Sequence, residues 1–231
     1  MSKQEALQEL CQAAERGDLT AAQAAIDAGA PLNGRLVYGK TPMMFAIENL
    51  HPQMMTFLKS KGARINMLDE DGEHPLIYAF SNERISTQAD GTEITATRNQ
   101  QMNTLRVALL LGADKDARSE LGTPAIDFAA NQLAIPAIIE LVAMGLRVDL
   151  NQPQGNQTVL HLLAARKEKF DPLFRTLINL CVQGGADPSA VDEEGRTPAA
   201  MAEQAGNTQL SQYLAGLTPA VAPEARRPRV R

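Results

Sequence analysis

The sequence predicts an all-α solenoid, in which short two-helix units stack side by side in a single array. The main observation is a set of five glycines, each closing an apolar helical stretch, at intervals of 33, 50, 33 and 40 residues. A period of this length is typical of stacked arrays, because each unit buries its apolar face only against its neighbours. An aromatic content of only 4% suits thin layers that pack on small side chains. The five residues are Gly29, Gly62, Gly112, Gly145 and Gly185.

The second unit shows the expected elements most plainly. Thr41 is a suitable cap for a first helix, and Pro42 fits the first helical position, because its missing N–H would have no partner there. This helix is predicted to end near Asn49, and Pro52 opens a second helix that runs to Gly62. A residue without Cβ readily takes the left-handed conformation that ends a helix. Each unit is therefore predicted to hold two short helices and a loop.

These residues resemble the ankyrin repeat, whose signature joins a Gly-x-Thr-Pro-Leu-His-x-Ala-Ala helix start to a Leu-Leu-x-x-Gly-Ala-Asp helix end. Helix starts of this kind lie at 39–46, 72–76, 123–124, 158–165 and 195–198, and the resemblance covers roughly residues 5–216. It implies an ankyrin-repeat α-solenoid of helix–turn–helix units with β-hairpin-like loops. The predicted division is a domain over residues 1–216, with units at 5–35, 36–68, 69–117, 118–150, 151–191 and 192–216, followed by a flexible basic tail at 217–231.

The array departs from the pattern in three places. The third unit carries 17 extra residues between Phe80 and Gln100, which are predicted to project as a loop or to extend the helices. The fifth unit is seven residues longer than the period, around 166–171. The fourth and fifth units also read one residue long at the start of the first helix.

Charge and composition exclude several classes of function. The net charge is −5, and residues 1–216 carry −8 while the tail carries +3, so no nucleic-acid partner is predicted. The N-terminus lacks the apolar core of a signal peptide, and the most apolar run, 133–146, is too short to span a bilayer. The two cysteines, Cys11 and Cys181, lie at opposite ends of the array, which favours a reducing compartment. A cytoplasmic protein without a membrane partner is therefore predicted.

The residues that carry chemistry elsewhere have structural places here. His161 is the His of the signature, which in ankyrin repeats bonds to the backbone of the next unit, and His74 replaces the capping Thr. No His-x-x-x-His, Cys-x-x-Cys or phosphate-binding glycine loop occurs. We predict no catalytic, cofactor-binding or metal site, and thus no enzyme. The alternative is an active site built from carboxylates in the insertion at 81–100.

The resemblance implies that the chain binds another protein through a concave face made of hairpin tips and first helices. Tyr38 is the predicted anchor, because an aromatic residue at a tip has no core to fill; packing on the adjacent hairpin is the alternative. Matched onto this chain, the contact positions of the family are Val37, Tyr38, Lys40, Glu48 and Asn49 in the second unit, Glu70, Asp71, Glu73, Ser81 and Asn82 in the third, Arg118, Ser119 and Glu120 in the fourth, Gln152 and Gln154 in the fifth, and Glu193, Glu194 and Arg196 in the sixth.

The acidic tips of the third and sixth units predict a partner protein with a basic patch. The free chain is predicted to be a monomer. Two more specific roles are open at this point. One is a dedicated inhibitor, such as a bacterial immunity protein or antitoxin, and the other is a secreted effector that docks on host proteins. The arginine-rich end, 226–231, is either a binding patch or a solvated end.

Overall fold

The computed structural model describes residues 1–80, 91–149 and 155–217. Within these residues the chain forms eleven α-helices, two short 3-10 helices and no β-strand, so the predicted all-α class is confirmed. The α-helices are α1 (Lys3–Arg16), α2 (Leu19–Asp27), α3 (Pro42–Glu48), α4 (Pro52–Ser60), α5 (Gly91–Leu110), α6 (Ala125–Gln132), α7 (Ile135–Ala143), α8 (Val159–Ala165), α9 (Pro172–Gln183), α10 (Pro198–Gln204) and α11 (Thr208–Leu217). The 3-10 helices are Val37–Gly39 and Pro75–Ala79.

The helices form successive pairs that stack along the chain. In the third pair the 3-10 helix at Pro75–Ala79 takes the place of the first α-helix and packs against α5. The first members of the pairs contact one another in chain order, from α1 through α3, Pro75–Ala79, α6 and α8 to α10. Of the second members, α4, α5, α7 and α9 do the same. The described residues therefore form two helical layers that share one elongated core.

The ends of the helices follow the local sequence as predicted. Thr41 Oγ1 accepts a hydrogen bond from Met44 N at 3.4 Å, and Pro42 occupies the first position of α3. All five closing glycines have φ between 91° and 102°, a region that residues with a Cβ adopt only under strain. These glycines end the second helices and let the chain turn toward the next unit.

The core is one continuous apolar cluster that runs from Ala6 to Leu214. It is built mainly from alanine, leucine, isoleucine and methionine, and Phe174 is the largest side chain that is fully buried. Cys181 belongs to this cluster, Cys11 is also buried, and burial raises the pKa of each thiol to about 12. Both cysteines therefore act as small apolar residues that stay protonated at neutral pH.

The third unit differs from the others on both sides of its insertion. His74 precedes the 3-10 helix and gives it no side-chain cap, in contrast to Thr41 before α3. α5 already begins at Gly91, so the second helix is extended as one of the two predictions had it, whereas 81–90 lies outside the described residues. Gln101 is only 1% exposed, and its Nε2 donates to Ala79 O at 3.0 Å. The packed part of α5 therefore begins close to Gln101.

Deleting residues 83–98 and joining the ends is expected to leave the stacked array folded. Among the side chains of this region that the structure describes, the first that is fixed in the core is that of Gln101, which lies against Ala79. Thermal unfolding followed by circular dichroism should remain cooperative, with helical signal lost only in proportion to residues 91–98 of α5. A non-cooperative transition would show that the insertion is part of the core.

The extra residues of the fifth unit are tied to the units on both sides. Arg166 Nη1 donates to the carbonyl oxygens of Ala130 at 2.6 Å and Leu133 at 2.8 Å. On the other side, Asn207 Nδ2 donates to Glu168 O at 3.1 Å. The segment at 166–171 is therefore held as a structured link. Among the described helices, none combines the length and the apolar character that crossing a bilayer requires.

Candidate functional site

Four of the loops that precede a first helix are closed by the same backbone hydrogen bond. The N–H of the first residue donates to the C=O of the fifth, at 2.9 Å in 36–40, 3.3 Å in 69–73, 2.9 Å in 119–123 and 3.0 Å in 192–196. Because all four loops have the same length, their tips project from equivalent places in the array. We call the loops 36–40, 69–73 and 119–123 the tip row.

Neighbouring loops are also joined to each other. Glu70 N donates to Tyr38 O at 3.2 Å, which links the first two loops of the tip row. His74, directly after the second loop, donates its N–H to the C=O of Arg118, directly before the third, at 3.0 Å. A similar bond connects Glu193 N to Gly155 O at 3.0 Å. The tip row is therefore a continuous surface that spans three units.

In two of these four loops an aspartate side chain accepts hydrogen bonds from the backbone of its own loop. Asp69 Oδ1 accepts from the N–H groups of Asp71 at 3.0 Å and Glu73 at 2.9 Å, and Asp192 Oδ1 accepts from two N–H groups in the same way. Asp and Asn favour such turns because a short side-chain acceptor reaches the backbone two residues on. Loop 36–40 has no such residue, and there Arg35 Nη1 donates to Leu68 O at 2.7 Å instead.

Three large apolar side chains stand exposed on the tip row. Val37 and Tyr38 are each 66% exposed, and Leu121 is 62% exposed. Tyr38 has a φ of 59°, an unusual conformation for an aromatic residue, and its carbonyl is held by Glu70 N. This exposure favours the role of Tyr38 as an anchor over packing on the adjacent loop.

Below the tips, charged groups of the second and third units form one cluster. Lys40 Nζ lies 2.9 Å from Glu48 Oε1 and 4.4 Å from the centre of the Tyr78 ring. The Tyr78 hydroxyl donates to Asp69 Oδ2, and the Tyr78 side chain is buried. Burial, followed by this bond to Asp69, raises the pKa of Tyr78. Lys40 and Glu48, two predicted contact residues, are therefore already paired with each other.

Glu73 lies at the centre of this negative charge. Burial first, and then the carboxylates of Asp69 and Glu120, raise the pKa of Glu73 from 4.5 to about 7, while Lys40 acts in the opposite direction. The folded protein thus holds this proton more tightly than the unfolded chain does. The resulting contribution to stability is complete below about pH 4.5 and is lost as the pH rises through about 7.

Glu73→Gln is expected to raise the free energy of unfolding at about pH 8 by about 1 kcal/mol, a value reduced because the side chain is partly exposed. Near pH 4.5 the variant and the wild type should be equally stable, because glutamine resembles the protonated acid. Urea unfolding at the two pH values measures the difference. An identical gain or loss at both values would contradict the raised pKa.

The other predicted contact residues have separate positions. Asn49 Nδ2 donates to Phe45 O at 3.0 Å at the end of α3, and Arg196 is paired with Asp192 and Glu194. Glu193 Oε1 accepts from Gly155 N at 3.0 Å. The structure therefore brings together the predicted residues of the second, third and fourth units, and sets those of the sixth in another pair of loops. The predicted residues Ser81, Asn82, Gln152 and Gln154 lie outside the described residues.

In the fourth unit the loop begins one residue after Arg118, the first predicted contact residue of that unit. The loop runs from Ser119 to Thr123, so that its tip consists of Glu120 and Leu121. Arg118 lies at the base of the loop, where its Nη1 donates to Gly122 O at 2.7 Å. The signal that would have found Leu121 is the glycine of the loop, since Leu121 precedes Gly122 as Tyr38 precedes Gly39.

The described residues do not offer an obvious reactive centre. No group of three or more His, Cys, Asp or Glu side chains among them is placed to hold a metal ion. His161 Nδ1 accepts from Thr158 N at 3.1 Å, and its Nε2 donates to Arg196 O at 3.0 Å, which confirms the predicted bond between units. Burial lowers the pKa of His161, so the ring stays neutral at pH 7.

Comparison with known proteins gives a consistent result. A family model of ankyrin repeats, in three copies, matches residues 10–88, and the division of the whole chain into six repeats stays a prediction. The phosphocholine transferase AnkX of Legionella pneumophila is 26% identical over 184 residues, an alignment that covers 68% of this chain and 19% of that protein. The chain spans less than one fifth of the length of the curated relatives that it matches.

Two solved structures are similar over almost the whole chain. An ankyrin repeat domain from Acinetobacter baumannii has a TM-score of 0.68 at 22% identity, and the match covers 90% of this chain and 96% of that chain. A chain from the complex of the predatory endopeptidase of Bdellovibrio bacteriovorus with its immunity protein has a TM-score of 0.64 at 20% identity, covering 91% and 98%. These likenesses show the fold of the chain.

Proposed function

Because this chain is an ankyrin-repeat protein, we propose that it binds a partner protein through its tip row and adjoining first helices and catalyses no reaction. Ankyrin repeats are protein-interaction modules, and their fold is typically a non-catalytic scaffold. The domain over residues 1–216 supplies the rigid support, and the residues that contact the partner belong mainly to units two to four.

The observation that carries this proposal is the row of exposed apolar side chains at the tips. Val37, Tyr38 and Leu121 are all more than 60% exposed, on loops that backbone hydrogen bonds hold in place. Large apolar side chains that stand in such a row mark protein-binding surfaces, and rigid aromatic residues contribute much of the binding energy. A preformed surface also loses little conformational entropy on binding.

The charges around these side chains indicate the kind of partner. Glu70, Asp71 and Glu120 are exposed on two of these three loops, and Glu73 lies just below them. Of the nearby basic groups, Lys40 is already paired with Glu48. The surface is therefore apolar with an acidic surround, which fits a partner that presents apolar side chains within a basic patch.

An enzymatic role is poorly supported by this arrangement. Glu73 has the raised pKa that a general acid or base needs, but it lies on an open surface, next to an Asp69 whose two carboxylate oxygens both accept hydrogen bonds. The other carboxylates that raise its pKa, those of Glu120 and Asp71, are exposed to solvent rather than enclosed with it in a pocket. The cluster is better explained as part of a binding surface.

A more specific form of the proposal is a dedicated inhibitor or immunity protein. It draws support from the likeness to a chain of the endopeptidase–immunity protein complex, which extends over 98% of that chain. An effector that docks on several host proteins remains the alternative form. Affinity capture from the native cells separates them, because an inhibitor should retain one tight partner and an effector should retain several proteins of the host.

Tyr38→Ala is expected to weaken binding of the captured partner by about 10- to 30-fold, because it removes the predicted anchor. The free energy of unfolding should change by less than about 0.5 kcal/mol, since the side chain lies outside the core. Leu110→Ala is the matched control, because Leu110 is 72% exposed at the end of α5, away from the tip row. Titration of the purified partner against the three proteins tests the proposal, and equal affinities for all three would contradict it.

A further inference from the structure

A second surface lies where the extra residues of the fifth unit meet α11. Two open grooves, of about 460 and 780 Å³, adjoin each other on either side of Phe170. The larger one is lined by Pro172, Arg175 and Thr176 from α9 and by Gln212 and Tyr213 from α11. The segment that lines both grooves follows the end of α8, whereas the tip loops precede the first helices. The grooves and the tip row therefore lie at opposite ends of the helix pairs.

Arg175 is held at the edge of the larger groove by two aromatic rings. Its guanidinium carbon lies 4.8 Å from the centre of the Tyr213 ring and 5.7 Å from that of Phe170, and the two rings are 5.1 Å apart. The Tyr213 hydroxyl is itself fixed by a 2.5 Å bond to Asn179 Oδ1. Stacking on rings orients the planar guanidinium and leaves its N–H donors free.

No side chain in the described part of the chain uses those donors. The two acids nearby are occupied, since Glu168 is paired with Arg166 and Asp171 Oδ1 accepts from Phe174 N at 2.8 Å to cap α9. Lys167 and Lys169 are exposed on the rim of the smaller groove. This surface is therefore basic and aromatic, in contrast to the acidic tip row.

We propose that this groove is a second docking site, which binds an acidic peptide segment of a partner protein. A carboxylate of the segment accepts two hydrogen bonds from the Arg175 guanidinium, and a neighbouring apolar side chain packs on Phe170 and Pro172. The fixed, forked guanidinium matches the geometry of a carboxylate. Long polyanions such as nucleic acids are disfavoured, because residues 1–216 carry a net charge of −8.

The anchoring of the 166–171 segment supports the same conclusion. Without these extra residues Phe170 would not reach Tyr213, and neither groove would have its present wall. Arg166 and Asn207 fix the segment to both neighbouring units, so that the groove is formed before any ligand arrives. A preformed groove needs no ordering of the chain on binding.

The test uses a displayed library of random peptides, selected on the full chain and then measured individually by fluorescence polarisation. We expect enrichment of peptides with Asp or Glu beside an apolar residue. Arg175→Gln should lower their affinity at least about 10-fold, as should Asn or Gln in place of the acid. Arg175→Lys, which keeps the charge without the fork, should lose an intermediate amount. Tyr38→Ala should leave these affinities unchanged.

Three results would overturn the proposal. One is a selection without acidic enrichment, and another is unchanged affinity in Arg175→Gln. The third is displacement of the peptides by inorganic phosphate at much lower concentrations than by acetate, which would assign the groove to phosphate groups. Peptides that lose binding only in Tyr38→Ala would belong to the tip row, so the groove proposal would fail while the proposed function stands.

Discussion

Asp69→Ala is expected to lower the free energy of unfolding by about 3 kcal/mol, the largest stability effect of a single polar residue in the tip row. Asp69 is 8% exposed, and its side chain accepts hydrogen bonds from Asp71 N, Glu73 N and the Tyr78 hydroxyl. Tyr78 is 5% exposed, so the alanine variant leaves a buried hydroxyl without a partner. Each buried polar group that loses its partner costs about 1–3 kcal/mol. Relief of the repulsion on Glu73 offsets part of this loss.

Urea unfolding of Asp69→Ala and Asp69→Asn measures this effect. Asparagine keeps the acceptor for the two N–H groups and the shape of the side chain, so we expect it to lose less than half as much stability. Asp192→Ala is a matched comparison, because Asp192 closes the loop of the sixth unit with the same two backbone bonds. An Asp69→Ala variant within about 0.5 kcal/mol of the wild type would show that the loop closes without its side chain.

Reversing the charge of the tip row is expected to have the largest effect on binding. The triple variant Glu70→Lys, Asp71→Lys and Glu120→Lys should bind the captured partner at least about 100-fold more weakly at low salt, because like charges then face each other. The difference should narrow as salt is added, since these side chains are exposed and their charges are screened. Most of the loss should appear in the association rate.

The control for this variant carries three charge reversals outside the tip row, at Glu9, Asp27 and Glu203, whose side chains are all exposed. It has the same net charge as the triple tip variant, so a general effect of charge would weaken both proteins equally. Equal affinities for the two variants would refute a basic partner at the tips. A salt-independent loss confined to the tip variant would indicate that the substitutions changed the fold of the loops.

The periodic features of the fold could be predicted from the sequence because they depend on local chemistry. Gly62 and its four counterparts end helices through backbone conformation alone, and Thr41 with Pro42 starts one in the same way. The bond from His161 to the next unit was also predictable, because it belongs to the repeat signature. The extended α5 was only one of two options, since the polar insertion carries no periodic apolar pattern.

The features that give this chain its particular surface could not be predicted in the same way. Leu121 was not predicted because the fourth unit reads as one residue long, whereas it has one residue fewer between its loop glycine and Pro124 than the second unit has between Gly39 and Pro42. The pairing of Lys40 with Glu48 depends on the distance between a loop and the end of a helix. The pKa of Glu73 depends on burial and on carboxylates from two loops, which only the packed array brings together.

The groove around Arg175 could not be predicted from the sequence either. Phe170, Arg175 and Tyr213 belong to an insertion and two different helices, and no spacing in the sequence predicts that they meet. What the sequence does show is that the fifth unit is seven residues too long. An irregularity in a repeat pattern is therefore a useful guide to where a repeat protein carries a feature of its own.

Hydrogen exchange of the full chain, alone and saturated with its captured partner, tests most directly where binding occurs. We expect the partner to slow exchange of the backbone amides at 36–40, 69–73 and 119–123, with smaller changes in α3 and α6. Amides of α2, α4 and α7, which lie in the other helical layer or at the end of the array, should exchange as before. Slowed exchange confined to those helices, with the tip row unchanged, would contradict binding through the tips.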